Sequence, residues 1–373
     1  MPDSNAKIRM GVIGLGHWFN RLEKSLADAS INVAKAIGTK SFDERAQRLA
    51  ELGIGRKDYY IGGRDGSIPE GFFSGIEAVY VSSPNSLHGT QARQSLEREK
   101  CTIVEKTLAT NERDFNSIVG FIGSNGYAAM TYLHLHYMHK QLTLAMDALL
   151  SEMGRSHGRI RRTAATFLEP YKESDRHRKW LFSAGEGGIF MDWIHPYEVL
   201  FHGAKASSIV LREARTFILN REYGAEPSGV EAISEISGPH FAEGAVAAVR
   251  VGKGARSGMK RVRTYFEDGA YADFDFANNE DELGTGHRGS WSLFERDGRA
   301  AGGGKPTGPD TSEIFAHDIA ELCRGNNNGL TVEEIKRLYR PQWDFQRMSH
   351  GAAAQTDPEK VARFADDALS CRA

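Results

Sequence analysis

The chain is poor in cysteine. Cys101, Cys323 and Cys371 are the only three in 373 residues, they stand far apart, and no CxxC occurs. That argues against a disulfide framework or a thiolate metal site and fits a reducing compartment. Charge of one sign is scarce too: 47 basic and 49 acidic residues leave a net charge of −2. No bulk positive field draws such a chain to nucleic acid or to anionic lipid. No apolar run is long enough to span a bilayer, and the polar N-terminus passes into a strand-like run without the apolar core of a signal peptide. These absences predict a cytoplasmic protein with neither nucleic acid nor membrane as partner.

What remains is ordinary globular composition, 40% hydrophobic and 26% charged. At roughly 150 residues per domain the length predicts two domains, and a chain this long buries a full core without cross-links. From Lys7 onward short apolar runs alternate with amphipathic segments of helical length. Strands are expected at 8–13, 32–37, 78–81, 102–104 and 127–133, with helices at 17–29, 42–52, 89–98 and 114–122. Strands alternating with helices imply a parallel sheet covered on both faces.

After about residue 138 the pattern changes. A long helix is expected at 140–153, then strands at 159–168, 208–219 and 245–252, and a hairpin turning at Asp268-Gly269, with another turn at Asp297-Gly298. Residues 278–289 and 300–309 are polar and glycine-rich and read as surface loops. Helices at 311–323 and 332–349 close the fold. The predicted architecture is α/β: a doubly wound parallel sheet over 1–130, an α/β domain with an open, mostly antiparallel sheet over 131–349, and a tail over 350–373.

Three stretches carry chemistry. In RMGVIGLGHWFNRL, Gly14 and Gly16 lie between the first strand and the first helix, followed by His17, Trp18 and Phe19. Glycines at this spacing permit a tight turn and close backbone approach, so that the helix N–H groups face an anion, here a dinucleotide pyrophosphate. The competing reading is a glycine turn in some other α/β domain. Phe19 stands where a small residue usually packs the helix on the strand, and must shift the helix or point away. The second strand ends AIGTKSFDER, with no acidic residue at its end to hold a ribose 2′-hydroxyl. Thr39, Lys40 and Ser41 occupy the turn, and a lysine with two hydroxyls suits a 2′-phosphate. NADP is therefore the expected cofactor and NAD the alternative.

The second stretch, AVYVSSPNSLHGTQARQSLEREKCTIVEKTLATN, sets Ser83-Pro84-Asn85 after a strand, His88 at a helix start and Glu105-Lys106 after the next strand. With the glycine turn, these motifs resemble the glucose–fructose oxidoreductase / inositol dehydrogenase / rhizopine-catabolism (Gfo/Idh/MocA) family. That family shows a GxGxxG-like turn, a TPNxxH-like loop and an EKP-like turn in this order. The match is specific over about 7–111 and weaker to about 349. The resemblance implies a Rossmann domain followed by an α/β domain whose open sheet builds homodimers or homotetramers. It implies NAD(P)-dependent oxidation or reduction of sugars and cyclitols, with Lys106 at the nicotinamide and the reacting hydroxyl. Glu105 would help seat the cofactor, and Ser83, Pro84, Asn85 and His88 would line the nicotinamide ribose. Thr107 replaces the family proline, whose preceding bond is often cis. A non-proline cis bond is costly, so a trans turn is expected.

The third stretch is GEGGIFMDWIHPYEVLF. In the family, a glycine pair precedes a helix carrying Asp and, four residues later, a substrate-facing His. Here Gly187 and Gly188 precede Asp192, but His195 follows after only three. Counting from Asp192 puts Pro196 in the His position; counting back from Glu198 puts His195 there. A helix starting near Pro196 separates Asp192 from His195, and a helix running through puts both on one face. His195 is the expected proton handler, because an imidazole pKa of about 6.5 suits acid/base work, with Asp192 in support. The competing reading leaves the proton to Lys106.

His134 and His136 would project together from a strand, but no carboxylate or thiol cluster joins them, so no metal is expected. His136 and Tyr137 are weaker pocket candidates. The basic run from Tyr171 to Trp180 resembles the family's loop over cofactor and substrate, or is a solvated loop. The expected function is NADP-dependent hydride transfer at a secondary alcohol of a sugar, sugar phosphate or cyclitol. The alternatives are an NAD-dependent glycoside hydrolase and a non-catalytic NAD(P) sensor.

Overall fold

A computed structural model describes residues 7–170, 183, 186, 188–220, 226–255, 258–276, 288–349 and 354–357. The run from Tyr171 to Trp180, Gly187, Cys371 and most of the tail lie outside the described residues. Two compact units form, Met1–Leu135 with Thr311–Lys336, and His136–Asp310 with Arg337–Ala373.

The first unit contains β1 (Ile8–Ile13), α1 (His17–Asp28), β2 (Ile31–Gly38), α2 (Ala46–Glu51), β3 (Tyr59–Ile61) and β4 (Ala78–Val81). It continues through α3 (His88–Glu97), β5 (Cys101–Glu105), α4 (Glu112–Ser124) and β6 (Thr131–His134). The strands are parallel in the order β3-β2-β1-β4-β5-β6. This is the doubly wound order, and its switch point lies between β1 and β4. Strand β3, three residues long, is too short to show a period in the sequence. The helix expected at 42–52 divides into a 3-10 turn, Asp43–Arg45, and α2.

Phe19 is fully buried and shares one core with Leu22 and Leu26 of α1. Spacings of three and four put these residues on one helix face, so the bulky ring turns inward with the apolar stripe. The ring therefore packs in the core beneath the glycine turn's helix. A later helix, Thr311–Cys323, reaches the same core with Phe315 and Ile319.

The second unit holds α5 (Gln141–His157), β7 (Ile160–Pro170), α6 (Ile194–Glu198), β8 (Ser208–Phe217), β9 (Gly229–Ser237), β10 (Phe241–Ala255), β11 (Met259–Phe266) and β12 (Tyr271–Asp275). Then come β13 (Ser290–Phe294), β14 (Ala300–Gly304), α7 (Thr311–Cys323), which packs in the first unit, and α8 (Val332–Ser349). In α7, Asp318 accepts a bond of 2.8 Å from the Tyr132 hydroxyl, and Leu322 O accepts from the Cys101 thiol at 3.9 Å.

The second sheet runs β14-β13-β12-β11-β7-β10-β9-β8 and is antiparallel except between β7 and β10. The β11–β12 hairpin turns as expected at Gly269, whose φ of 93° suits glycine. Arg263 and Asp273 face each other across that hairpin and pair through two bonds of 2.5 and 2.6 Å, the opposite-charge pairing that supports a register. The expected loop at 300–309 is corrected: its first five residues form the exposed strand β14. An alanine and glycine run carries no alternation, so pairing with β13 alone makes it a strand.

Phe19→Ala should lower stability by about 3–5 kcal/mol through the cavity it leaves. A denaturant melt checks this, and a loss below about 1 kcal/mol would contradict the buried placement.

Candidate functional site

The first unit builds a cradle at the carboxyl ends of its strands. Gly14 has φ 95°, and a Cβ on it would stand 2.5 Å from the Ser82 carbonyl oxygen. Only glycine fits there. Gly14 N–H donates to Ile37 O at 3.0 Å, Ser82 N–H to Ile13 O at 2.8 Å, and Ser82 Oγ to Gly14 O at 2.7 Å. The ends of β1, β2 and β4 are thereby tied. Gly16 is exposed and caps α1 with no side-chain cap bond, and nothing lies within 4 Å of where its Cβ would be. The first-turn N–H groups of α1, where His17 and Trp18 sit, therefore open onto space that a phosphate fits.

Past β2, Thr39 and Lys40 are exposed. Tyr59 Oη donates to Lys40 O at 2.6 Å. Ser41 donates to the Glu44 carboxylate from N at 2.9 Å and from Oγ at 2.8 Å, and Glu44 N–H returns a bond to Ser41 Oγ at 3.3 Å. The Ser41 bonds hold the Glu44 carboxyl below its ordinary range. A carboxylate thus reaches the turn that looked free of one. It is missed in sequence because it lies six residues beyond Gly38 and a local capping loop folds it back.

Beyond β4, Ser83 Oγ donates to Gln91 Oε1 at 2.5 Å; Pro84 is exposed and Asn85 half-buried. His88 is only 1% exposed, so it stands behind that loop rather than on its face. Its Nδ1 lies 2.8 Å from Thr107 O and its Nε2 2.8 Å from Ser83 O. Glu105 is also buried, with Oε1 3.1 Å from His134 Nδ1. The His134 ring stacks on Phe315 at 3.6 Å. Lys106 is half-buried at the turn. The expected trans bond is corrected: Lys106–Thr107 is cis. Thr107 is fully buried, with its carbonyl at the His88 ring, so tertiary bonding rather than a local proline accompanies this isomer.

The second unit assembles an acid/base group. A 3-10 turn, Gly188–Asp192, leads into α6. Pro196 is the third residue of α6, inside the first turn where proline is tolerated. Asp192 and His195 lie in different elements and still meet, with Asp192 Oδ1 3.6 Å from His195 Nε2. On the other side, His195 Nδ1 is 2.9 Å from Glu198 Oε1. Glu198 has no exposure, and its Oε2 accepts from Tyr137 N at 2.6 Å and Met138 N at 3.1 Å. With Nδ1–H donated to Glu198, the neutral ring presents Nε2 as its acceptor.

A second tier surrounds this group. Lys253 Nζ stands 2.8 Å from Asp192 Oδ2 and 3.7 Å from Glu169 Oε2, and Lys260 Nζ lies 3.3 Å from Glu169 Oε1. Burial works to raise the Glu169 carboxyl, but Lys253 and Lys260 outweigh it and hold it below its ordinary range. Burial pushes the Tyr137 phenol up, against the pull of Lys260. The phenol is therefore a donor, and its ring centre is 4.8 Å from that of His195. Tyr137 thus joins the group, and the buried His136 ring packs edge-on against it with centroids 5.5 Å apart. Sequence reasoning missed Glu198, Glu169, Lys253 and Lys260. The His195-to-Glu198 spacing was visible, but the lysines meet Glu169 only because β7 lies between β10 and β11.

No family model matches the chain. A curated relative is 23% identical over 297 residues, 77% of this chain and 79% of its own length: UDP-N-acetylglucosamine 3-dehydrogenase of Acidithiobacillus ferrooxidans. The solved structure of that enzyme superposes with TM-score 0.64 at 16% identity, covering 91% of this chain and 97% of its own. Aldose-aldose oxidoreductase of Caulobacter crescentus, complexed with glycerol, gives 0.71 at 16% identity, covering 92% and 98%. The 3-ketoreductase KijD10 of Actinomadura kijaniata, in complex with TDP-benzene and NADP, gives 0.69 at 16%, covering 93% and 98%. These neighbours are oxidoreductases of the Gfo/Idh/MocA type, and the two-sheet α/β fold is shared with them.

Glu198→Ala should cost about 3 kcal/mol of stability, because a buried backbone N–H, a partly buried one and His195 lose their acceptor. Equal unfolding midpoints for variant and parent would contradict the described bonding.

Proposed function

We propose that this chain, whose fold is that of the Gfo/Idh/MocA oxidoreductases, is an NAD(P)-dependent oxidoreductase acting on a secondary alcohol, or the matching ketone, of a sugar or sugar derivative. The observation that carries the reading is the bracketing of His195. One buried carboxylate holds Nδ1, a second faces Nε2, and Lys253 pairs with that second carboxylate at 2.8 Å. An imidazole fixed in this way takes a hydroxyl proton at Nε2 and returns it in the reverse direction. Asp192 orients the ring or a neighbouring substrate hydroxyl. Lys106, half-buried after β5, polarises the reacting oxygen, and its charge favours the alkoxide.

The cradle at Gly14 and Gly16 fits a dinucleotide pyrophosphate. When bound, the nicotinamide supplies hydride chemistry at its C4. Ser83, Pro84, Asn85 and Glu105 are proposed to border that end of the cofactor, Glu105 by supporting the turn. At the other end, exposed Lys40 with Thr39 and Ser41 supports a 2′-phosphate and hence NADP, as in the KijD10 complex. Glu44 supports the second reading, NAD, because a carboxylate accepts bonds from ribose hydroxyls and repels a 2′-phosphate. The relatives suggest a sugar joined to a nucleoside diphosphate as one substrate class. Homodimers or homotetramers through the second sheet, and a cytoplasmic location, belong to the same proposal.

Fluorescence titration with NADPH and NADH tests the cofactor. Tighter NADPH binding that weakens in Lys40→Ala supports NADP; tighter NADH binding that weakens in Glu44→Ala supports NAD. Binding of neither overturns the oxidoreductase reading. With a turning-over sugar substrate, His195→Ala and Lys106→Ala should each lower kcat about 10²–10⁴-fold. Unchanged kcat in both would remove them from the chemistry.

A further inference from the structure

His88 opens α3 and is buried. Its two ring nitrogens each stand 2.8 Å from a main-chain carbonyl oxygen, Nδ1 from Thr107 O and Nε2 from Ser83 O. A carbonyl oxygen only accepts. A neutral imidazole has one N–H and one lone pair, so it satisfies one of these oxygens and sets lone pair against lone pair at the other. A second proton on the ring removes the conflict and makes both contacts charge-assisted bonds. From this geometry we infer that His88 is an imidazolium in the resting protein, a buried cation that clasps the loop after β4 to the turn after β5.

The surroundings bear on the charge. Between Val81 and His88 the chain carries no ionisable side chain. From the β5 turn come Glu105, whose carboxylate faces His134, and Lys106. On α3 itself are Arg93, bonded to Ser117, and exposed Glu97. The positive end of the α3 dipole disfavours a cation at this place. Two carbonyl dipoles aimed at the ring from contact distance oppose that effect, the Thr107 contact buried and the Ser83 contact partly so.

The consequence rests on the function proposed above. Ser83 leads into the loop assigned to the nicotinamide ribose, and Thr107 follows Lys106 directly. One ring therefore sets the spacing between the two loops, while Ser82 ties the first of them to Gly14. His88 is a positioning residue: it is buried behind the loop and acts through Ser83 and Thr107.

The test is ring-nitrogen NMR on the full chain labelled with ¹⁵N-histidine. The signal among 13 histidines is assigned by its loss in His88→Gln. If that variant does not fold, neutron diffraction from crystals of the deuterated parent locates the ring deuterons directly. Protons on both nitrogens at pH 7.5 are expected. A single protonated nitrogen would overturn the inference whatever the cofactor data show. A glutamine amide offers donors from one nitrogen only and cannot span both oxygens, so His88→Gln should bind the preferred dinucleotide, NADPH or NADH, about tenfold or more weakly. Unchanged affinity would overturn the positioning role. Double protonation in a parent that binds neither dinucleotide would uphold the clasp and overturn the cofactor reading instead.

Discussion

A carboxylate with no access to water must find its partners inside the protein, and Glu198 meets that constraint in a way that orders much of the second unit. One oxygen takes the backbone N–H groups of Tyr137 and Met138, and the other takes His195. The start of the second unit is thus joined to α6, and the imidazole can turn only as far as Glu198 allows. Tyr137 then packs beside that ring and approaches Lys260, and Lys260 shares Glu169 with Lys253. Lys253 closes the path at Asp192. The acid/base group follows from completing buried bonds one after another.

The first unit obeys the same constraint with backbone oxygens. The carbonyls at the ends of β1, β4 and β5 sit where a parallel sheet stops supplying ladder partners. Ser82 takes Gly14 O, and the His88 ring meets Ser83 O and Thr107 O. Glycine at 14 lets the chain come close enough for this. These bonds tie the loops to one another, while the helix end at Gly16 stays open.

Legibility in the sequence follows the range of the interactions. Strands β1, β2, β4 and β5 carried short, mostly apolar runs, and their alternation with helices was enough for a parallel sheet. The Asp268-Gly269 turn announced its hairpin through a glycine at positive φ. Strand β14 was invisible, because alanine and glycine carry no pattern and β13 alone recruits them. Phe19 looked like an obstruction at the cradle until its spacing to Leu22 and Leu26 was seen to turn it inward. Glu44 lies too far along the chain from the end of β2 to be legible there, and only the reciprocal bonds with Ser41 bring its carboxylate back to the turn.

The sequence by itself determined the α/β class, the glycine turn, the loop around Ser83 and the placement of Lys106 just after a strand, because these depend on neighbours only a few positions away. Tertiary structure alone decided the rest. It put Asp192 beside His195 across an element boundary, made Glu198 the imidazole's anchor, and brought Lys253 and Lys260 to one glutamate. It also returned α7 to the first sheet, where Tyr132 reaches Asp318 across 186 positions. The physical reason is the same in each case: a buried charge or carbonyl pairs with whatever polar group the fold brings within about 3 Å, and sequence separation has no part in that choice.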